Sequence, residues 1–343
     1  MAVRSKDIAK QIGVSEATFS LVINGKPGIS EKTREKVLRA VRELGYDYLI
    51  QAPSPSPAVS SNTIGFVLFK NKGELLGANS FFPLILEGIE STAREAGYSL
   101  SVINIERAEI ETEINYIRNA SCQGFVVFAT EMHHADLEYF RRTGLPFVLF
   151  DNYFVDERIT SVKVNNEQGT WLLVQYLVGL GHTRIGYLSS GLEIRSFQER
   201  QACALKAMEY FGIKKPEKDV YTIGYPNENA ERGMARLLET HSADQLPTAF
   251  LADNDLVSAG AMLSLRRAGY RIPEDFSFAG FDDRPICTLL DPKLTTLQLP
   301  RDRFGAEAVR QLIYNMDHPE ASPVCVQING DLVIRDSCSN YQA

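Results

Sequence analysis

Residues 8–24 read IAKQIGVSEATFSLVIN. A first short helix is predicted over Lys6–Gln11, with Ile8, Ala9 and the following Ile12 on one side, and Gly13 breaks it. Ser15 is placed to cap a second helix over Glu16–Asn24, whose Phe19, Val22 and Ile23 fall on one face at helical spacing. A small residue where two helices cross, a glycine in the turn and an apolar inner face are the steric needs of a helix-turn-helix. The other face, Glu16, Ala17, Thr18, Ser20, Leu21 and Asn24, then points outward, as a helix entering a major groove requires. A three-helix bundle without a ligand satisfies the same pattern.

After a turn at Gly25-Lys26-Pro27-Gly28, Ser30 is placed to cap a third helix over Glu31–Leu44, with Val37, Leu38, Val41 and Leu44 in helical register and Gly45 past its end. Residues 1–62 hold nine Lys/Arg against six Asp/Glu, a surplus of three positive charges within a chain of net charge −7, which leaves −10 on the rest. A basic head on an acidic body suits a polyanion held by the head alone. Residues 47–62 change character: Pro53-Ser54-Pro55-Ser56-Pro57 cannot sustain a helix and reads as an extended tether between domains.

From Thr63 onward, short apolar runs alternate with amphipathic stretches. The runs are Ile64–Phe69, Leu100–Asn104, Gly124–Phe128, Phe147–Phe150, Ile185–Leu188, Val220–Ile223, Ala249–Ala252 and Phe276–Gly280. Helical patterns lie between most of them, for example Pro83–Ala96, Glu167–Leu180, Phe197–Phe211, Glu228–Thr240 and Asp255–Ala268. Such alternation predicts parallel sheets covered on both faces. Eight such strands fit two open sheets better than one barrel, which periodicity alone leaves open. A helix over Arg301–Met316 and closing strands near Val324–Ile328 and Leu332–Arg335 complete the chain.

The rest of the composition is ordinary for globular domains: 343 residues, 44% apolar and 23% charged, enough for two or three domains. No apolar run reaches the ~18–20 residues of a membrane helix, and the opening MAVRSKDIAKQ is not a signal peptide. Five scattered cysteines without a CxxC pair indicate neither a zinc site nor a disulfide framework, and a cytoplasmic location is expected. No Gly-x-Ser-x-Gly elbow, phosphate loop or His-Glu-x-x-His occurs, and His133-His134 and Asp282-Asp283 are adjacent pairs that point to different faces. No enzymatic activity, metal or cofactor is expected.

Ala9-Lys10, Gly13-Val14-Ser15, Thr18, Ser20 and Val22-Ile23-Asn24, followed by Ile29-Ser30-Glu31-Lys32-Thr33-Arg34-Glu35-Lys36-Val37 and Leu44-Gly45-Tyr46, resemble the DNA-binding head of the lactose-repressor (LacI/GalR) family. The resemblance implies that Glu16, Ala17 and Leu21 read bases, while Ser15, Thr18, Ser20, Asn24, Ser30 and Thr33 fix the phosphate backbone. Leu21 stands where many members carry Arg, so a bidentate guanine contact is missing. The usual hinge-helix sequence is absent after Tyr46, where the Pro-Ser repeat follows instead.

The remainder resembles the same family's effector domain, itself similar to periplasmic solute-binding proteins. The phrases are Gly181-His182-x-x-Ile185-Gly186-Tyr187, Leu246-Pro247-Thr248-Ala249 through Asn254-Asp255, Ile272-Pro273-Glu274-Asp275-x-Ser277, Gly280-Phe281-Asp282-Asp283 and Leu294-Thr295-Thr296-Leu297. The implied architecture is an α/β body of two doubly wound parallel-sheet subdomains. The N-subdomain takes about 63–160 plus 294–319 and the C-subdomain about 161–293 plus 320–343, with crossovers near residues 158–164, 287–298 and 317–325. By resemblance, Asp151, Arg200 (read as opening a helix), Asn254 and Asp282 hydrogen-bond an effector between the lobes, and Phe81 or Phe82 forms an aromatic wall. Each polar residue has an ordinary alternative as a helix cap or structural ion pair. His182 is read as structural, and Trp171 as core.

These readings imply a homodimeric repressor on palindromic double-stranded operator DNA, controlled by a small polar metabolite of the sugar class and having no membrane association. No leucine heptads follow Arg335, so a coiled-coil tetramer is not expected. The alternative is a solute sensor whose head no longer binds DNA specifically.

Overall fold

The computed structural model describes residues 5–23, 29–44, 62–73, 82–119 and 122–341. By its internal contacts the chain divides into Met1–Ser61 and Asn62–Ala343. The head contains α1 (Ser5–Ile12), α2 (Glu16–Ile23) and α3 (Glu31–Glu43). Ile8, Ala9, Phe19, Val22, Ile23, Val37 and Val41 are buried together, with Ile12, Val14, Ile29 and Leu38 packed around them. Gly13 adopts φ +78°, a left-handed conformation that costs glycine little, and it reverses the chain between α1 and α2. The turn at 25–28, Gly45 and the linker up to Ser61 lie outside the described residues.

The body begins with β1 (Thr63–Lys70), α4 (Phe82–Glu95), β2 (Ser99–Glu106), α5 (Ile110–Asn119) and β3 (Phe125–Phe128). Next come α6 (Leu137–Arg141), β4 (Phe147–Phe150), β5 (Ser161–Val164), α7 (Asn166–Gly179), β6 (Ile185–Ser189) and α8 (Arg195–Tyr210). Then follow β7 (Val220–Thr222), α9 (Asn227–Thr240), β8 (Ala249–Ala252), α10 (Asp255–Arg267), β9 (Ser277–Asp282) and α11 (Ile286–Leu289). β10 (Thr295–Gln298), α12 (Arg301–Asp317), β11 (Cys325–Ile328) and β12 (Asp331–Val333) close the chain.

Two six-stranded sheets result, ordered β11-β5-β4-β3-β1-β2 and β12-β10-β9-β8-β6-β7. All pairs are parallel except β10 with β12. Every residue of β3, β8 and β9 is buried, as expected of parallel strands with helices on both faces. On the first sheet α4 and α12 touch backbone to backbone. A Cβ on Gly88 would stand 1.9 Å from the Asp302 carbonyl oxygen, and one on Gly305 would stand 2.3 Å from that of Ile85.

The expected crossovers near 158–164, 287–298 and 317–325 each fall one strand short. Residues 161–164 and 325–328 complete the first sheet and 295–298 belongs to the second, so the chain passes between lobes at 164–166, 298–301 and 328–331. The N-lobe is therefore 62–164 with 301–328, and the C-lobe 166–298 with 331–341. Ser161-Val-Lys-Val and Thr295-Thr-Leu-Gln are short and interrupted by polar residues, so they lack the continuous apolar run of the central strands. The first and third crossings are stitched together: Asn165 N donates to the Ile328 carbonyl (2.9 Å), Asn165 Nδ2 to Asn329 Oδ1 (2.9 Å), and Gln168 Nε2 to the Gly330 carbonyl (3.0 Å).

Candidate functional site

In the head, Ser15 Oγ accepts from Thr18 N at 3.0 Å and lies 2.8 Å from Thr18 Oγ1. Ser30 repeats the arrangement with Thr33, at 3.4 and 2.8 Å. All four residues are therefore engaged in capping α2 and α3, the ordinary role of Ser and Thr at a helix start. Glu16, Ala17 and Ser20 are exposed on α2, Leu21 and Thr18 are half-buried, and Asn24 lies outside the described residues. The outward face read from the sequence is therefore present from Glu16 to Leu21.

The body's candidate site lies where the strands of both sheets end. β3 delivers Phe128 and then Thr130, β4 delivers Asp151, β8 delivers Asp253 and Asn254, and β9 ends in Asp282. Phe82, Phe128, Thr130 and Asp151 of the N-lobe meet Ser196, Phe197, Arg200, Asp282 and Arg284 of the C-lobe around a cavity of about 40 Å³. The ring of Phe82 stands edge-on to Phe128, centroids 4.7 Å apart. Phe81 lies outside the described residues.

Asp151 takes φ +63° and accepts a hydrogen bond from Thr130 Oγ1 at 2.8 Å. Burial pushes its pKa up to about 6. Asp282 takes φ +106° and is 3% exposed. Such backbone conformations in non-glycine residues cost of order 1–3 kcal/mol and gather at functional sites. Arg200 and Arg284 flank Asp282, with N–O separations of 3.2 and 3.3 Å. The Arg200 guanidinium lies over the Phe281 ring at 3.7 Å. Its Nε donates to Asn166 Oδ1 (3.0 Å) and its Nη1 to the Asp253 carbonyl (2.7 Å). Asp282 Oδ1 is left buried without a hydrogen bond.

Arg200 does not open α8, as the sequence reading had it. The helix starts at Arg195, which places Arg200 in its second turn on the same side as Phe197. Asn254 does not line the cavity. Its Oδ1 caps α10 by accepting from Leu256 N and Val257 N, while its Nδ2 is buried and unpartnered. Sequence reasoning missed Phe128, Thr130, Ser196, Phe197 and Arg284. Two signals could have found some of them: Phe197 precedes Arg200 by three positions on one helix, and Arg284 follows Asp282 by two.

Two further carboxylates support the floor. Asp253 accepts from Tyr187 Oη (2.7 Å) and Ser190 N (2.6 Å), and burial raises its pKa. Asp255 accepts from Arg284 N (2.7 Å) and Thr296 Oγ1 (2.5 Å), with its pKa pushed up to about 7, first by burial and then by the charge of Asp282. No group of three or more potential metal ligands occurs among the described residues. His182 is buried between Thr248 Oγ1 (2.9 Å) and Ser277 Oγ (3.1 Å). Trp171 is half-buried against Tyr210 and Phe211, at the edge of the core rather than inside it.

Comparison with known proteins bears on both parts. The profile of the bacterial regulatory proteins of the lacI family matches residues 6–47, and that of the periplasmic binding protein-like domain matches residues 174–338. An HTH-type transcriptional repressor PurR of Vibrio parahaemolyticus is 30% identical over 338 residues, covering 97% of each chain. The chain belongs to the lacI family. A second PurR repressor, of Mannheimia succiniciproducens, is 27% identical over 337 residues, with 97% of each chain covered.

Among solved structures, the regulator CelR in complex with cellobiose superposes with TM-score 0.72 at 25% identity, covering 98% of this chain and 100% of that one. The lac repressor dimer bound to operator and the anti-inducer ONPF gives 0.70 at 26%, covering 99% and 100%. This lacI-family regulator thus joins a helix-turn-helix DNA-binding head to an effector-binding body, and its relatives are transcriptional regulators. Among the described residues no helix is long and apolar enough to cross a membrane.

Proposed function

We propose that this lacI-family protein is a cytoplasmic repressor that binds a palindromic operator as a homodimer and responds to an uncharged sugar-class metabolite held between its lobes. The observation that carries the effector reading is the cavity itself. Asp151, Arg200 and Asp282 supply acceptors and donors of fixed geometry, while Phe82, Phe128 and Phe197 supply apolar faces. Paired hydroxyls match the polar groups and the C–H face of a sugar ring matches the aromatic ones. The cellobiose complex of CelR supports the same class. Residues of both lobes surround the cavity, so an effector enters as the lobes part and is held as they reclose about the stitched crossings.

The dimer reading is supported by the lac repressor structure, which is that of a dimer bound to operator.

The test is selection of random duplex DNA by the full-length protein and by a form lacking residues 1–62, with calorimetric titration of neutral mono- and disaccharides and of purine bases. The expected result is a palindromic site that needs the head, together with uptake of a neutral sugar. Absence of any selected site would favour a solute sensor, and binding of a purine alone would overturn the sugar assignment.

A further inference from the structure

β1 is followed by Asn71, Lys72 and Gly73, whose three backbone N–H groups converge on a single atom, Oε2 of Glu131, at 2.9, 2.9 and 3.0 Å. Successive N–H groups aimed at one spot form an anion-binding nest. This one stands outside the carboxyl end of a strand, where open α/β sheets receive their ligands. Here the chain's own carboxylate fills it. Glu131 follows Thr130, the donor to Asp151, so the nest and the cleft share one turn of backbone.

Asn71, Lys72, Glu131 and His133 of the N-lobe and Leu192, Glu193 and Ile194 of the C-lobe line a cavity of about 100 Å³. Ile194 leads directly into α8, which carries Phe197 and Arg200. A second carboxylate, Glu193, thus lines the same rim, as does Lys72. Deeper in, the carboxylates of Asp151, Asp253, Asp255 and Asp282 outnumber the guanidiniums of Arg200 and Arg284, both of which lie against Asp282. Asp151 has no cation within ion-pair distance among the described residues.

We propose that Glu131 is a specificity-determining residue: by occupying the nest at the end of β1 it keeps a ligand's phosphate out, so the cleft admits an uncharged polyhydroxyl effector and rejects its phosphate ester. The proposal rests on the cleft being the effector site. A phosphate entering there would have to displace Glu131 from three N–H groups. It would cost that carboxylate three backbone N–H donors and bring a further anion toward Glu193 and Asp151. Charge-assisted bonds to backbone N–H are among the stronger hydrogen bonds, so the displacement is costly.

The test uses inorganic phosphate as the probe, titrated calorimetrically into the full-length protein at fixed ionic strength. Wild type and Glu131→Gln, whose amide oxygen can still accept from the nest, are expected to take up no phosphate at millimolar concentration. Glu131→Ala empties the nest and is expected to gain at least about tenfold in phosphate affinity, equivalent to about 1.4 kcal/mol. Wild type binding phosphate as tightly as Glu131→Ala would overturn the proposal, as would a Glu131→Ala protein with a normal thermal transition that takes up none. Should Glu131→Ala not fold, Glu131→Ser, neutral and too short to fill the nest, carries the same test with the same outcomes. The neutral-sugar titration is a separate measurement, so failure of the effector reading is distinguishable from failure of the nest assignment.

Discussion

Asp151 is a carboxylic acid that the fold holds in two unfavourable ways, with a left-handed backbone and a pKa pushed up to about 6 by burial. An unfolded aspartate titrates near 3.9. Between those values the native state binds more protons than the unfolded chain, so this residue's contribution to stability rises as pH falls from 8 toward 5. Asp255, pushed up to about 7, acts in the same direction. Thermal melts across that range should show Asp151→Asn gaining on wild type at pH 8 and losing that advantage near pH 5. The same variant should weaken sugar binding, because the carboxylate that accepts from Thr130 also faces the cavity.

Asp282 behaves differently, since it compensates two buried guanidiniums. Asp282→Ala would leave Arg200 and Arg284 without that carboxylate and should cost about 3–5 kcal/mol by denaturant titration. At this scale the sequence was only partly readable. Asp151, Arg200 and Asp282, which line the cavity, could be singled out because polar residues at strand ends or in the following helix are visible along the chain. Phe128 and Thr130 were not, because they reach the cavity through the ordering of strands in space.

At the scale of elements, apolar periodicity located the head helices and the central strands to within a residue or two, since burial on one helix face or on both sheet faces writes itself into the sequence. It failed at β5 and β10. In β10 the buried Thr295 and Thr296 are satisfied by hydrogen bonds to Arg335 N and Asp255 rather than by apolar packing. Nor does periodicity reveal helix separation. Gly88 and Gly305 let α4 and α12 touch, and in sequence they are indistinguishable from glycines that merely turn the chain. A methyl group at Gly88 would overlap the Asp302 backbone. Gly88→Ala should therefore destabilise the body by about 3 kcal/mol, at the upper end of ordinary overpacking costs, seen as a lower denaturant midpoint with an unchanged slope.

For the whole molecule, regulation requires that sugar binding and operator binding be linked. A coupling of about 1–3 kcal/mol changes affinity roughly 5–150-fold. Fluorescence anisotropy with the selected operator should show a shift of that size when saturating sugar is added. Arg200→Ala should abolish the shift while leaving operator affinity without sugar close to wild type, because Arg200 belongs to the body and the helix-turn-helix to the head. Equal operator affinity with and without sugar in the wild type would remove the allosteric reading.

The three passages between lobes also bear on how the chain comes to be folded on a ribosome. Neither lobe is a continuous piece of sequence. The first sheet waits for β11 at residues 325–328, and the second waits for β12 and for Ser337, which accepts from Thr295 N and donates to the Phe278 carbonyl. A nascent chain of 300 residues therefore holds two sheets that each still expose an unpaired edge at β5 and β10. Strand edges of that kind invite pairing with other chains. During synthesis the body thus keeps these strand edges open until β11 and β12 have emerged, whereas α1, α2 and α3 of the head precede both sheets in the chain.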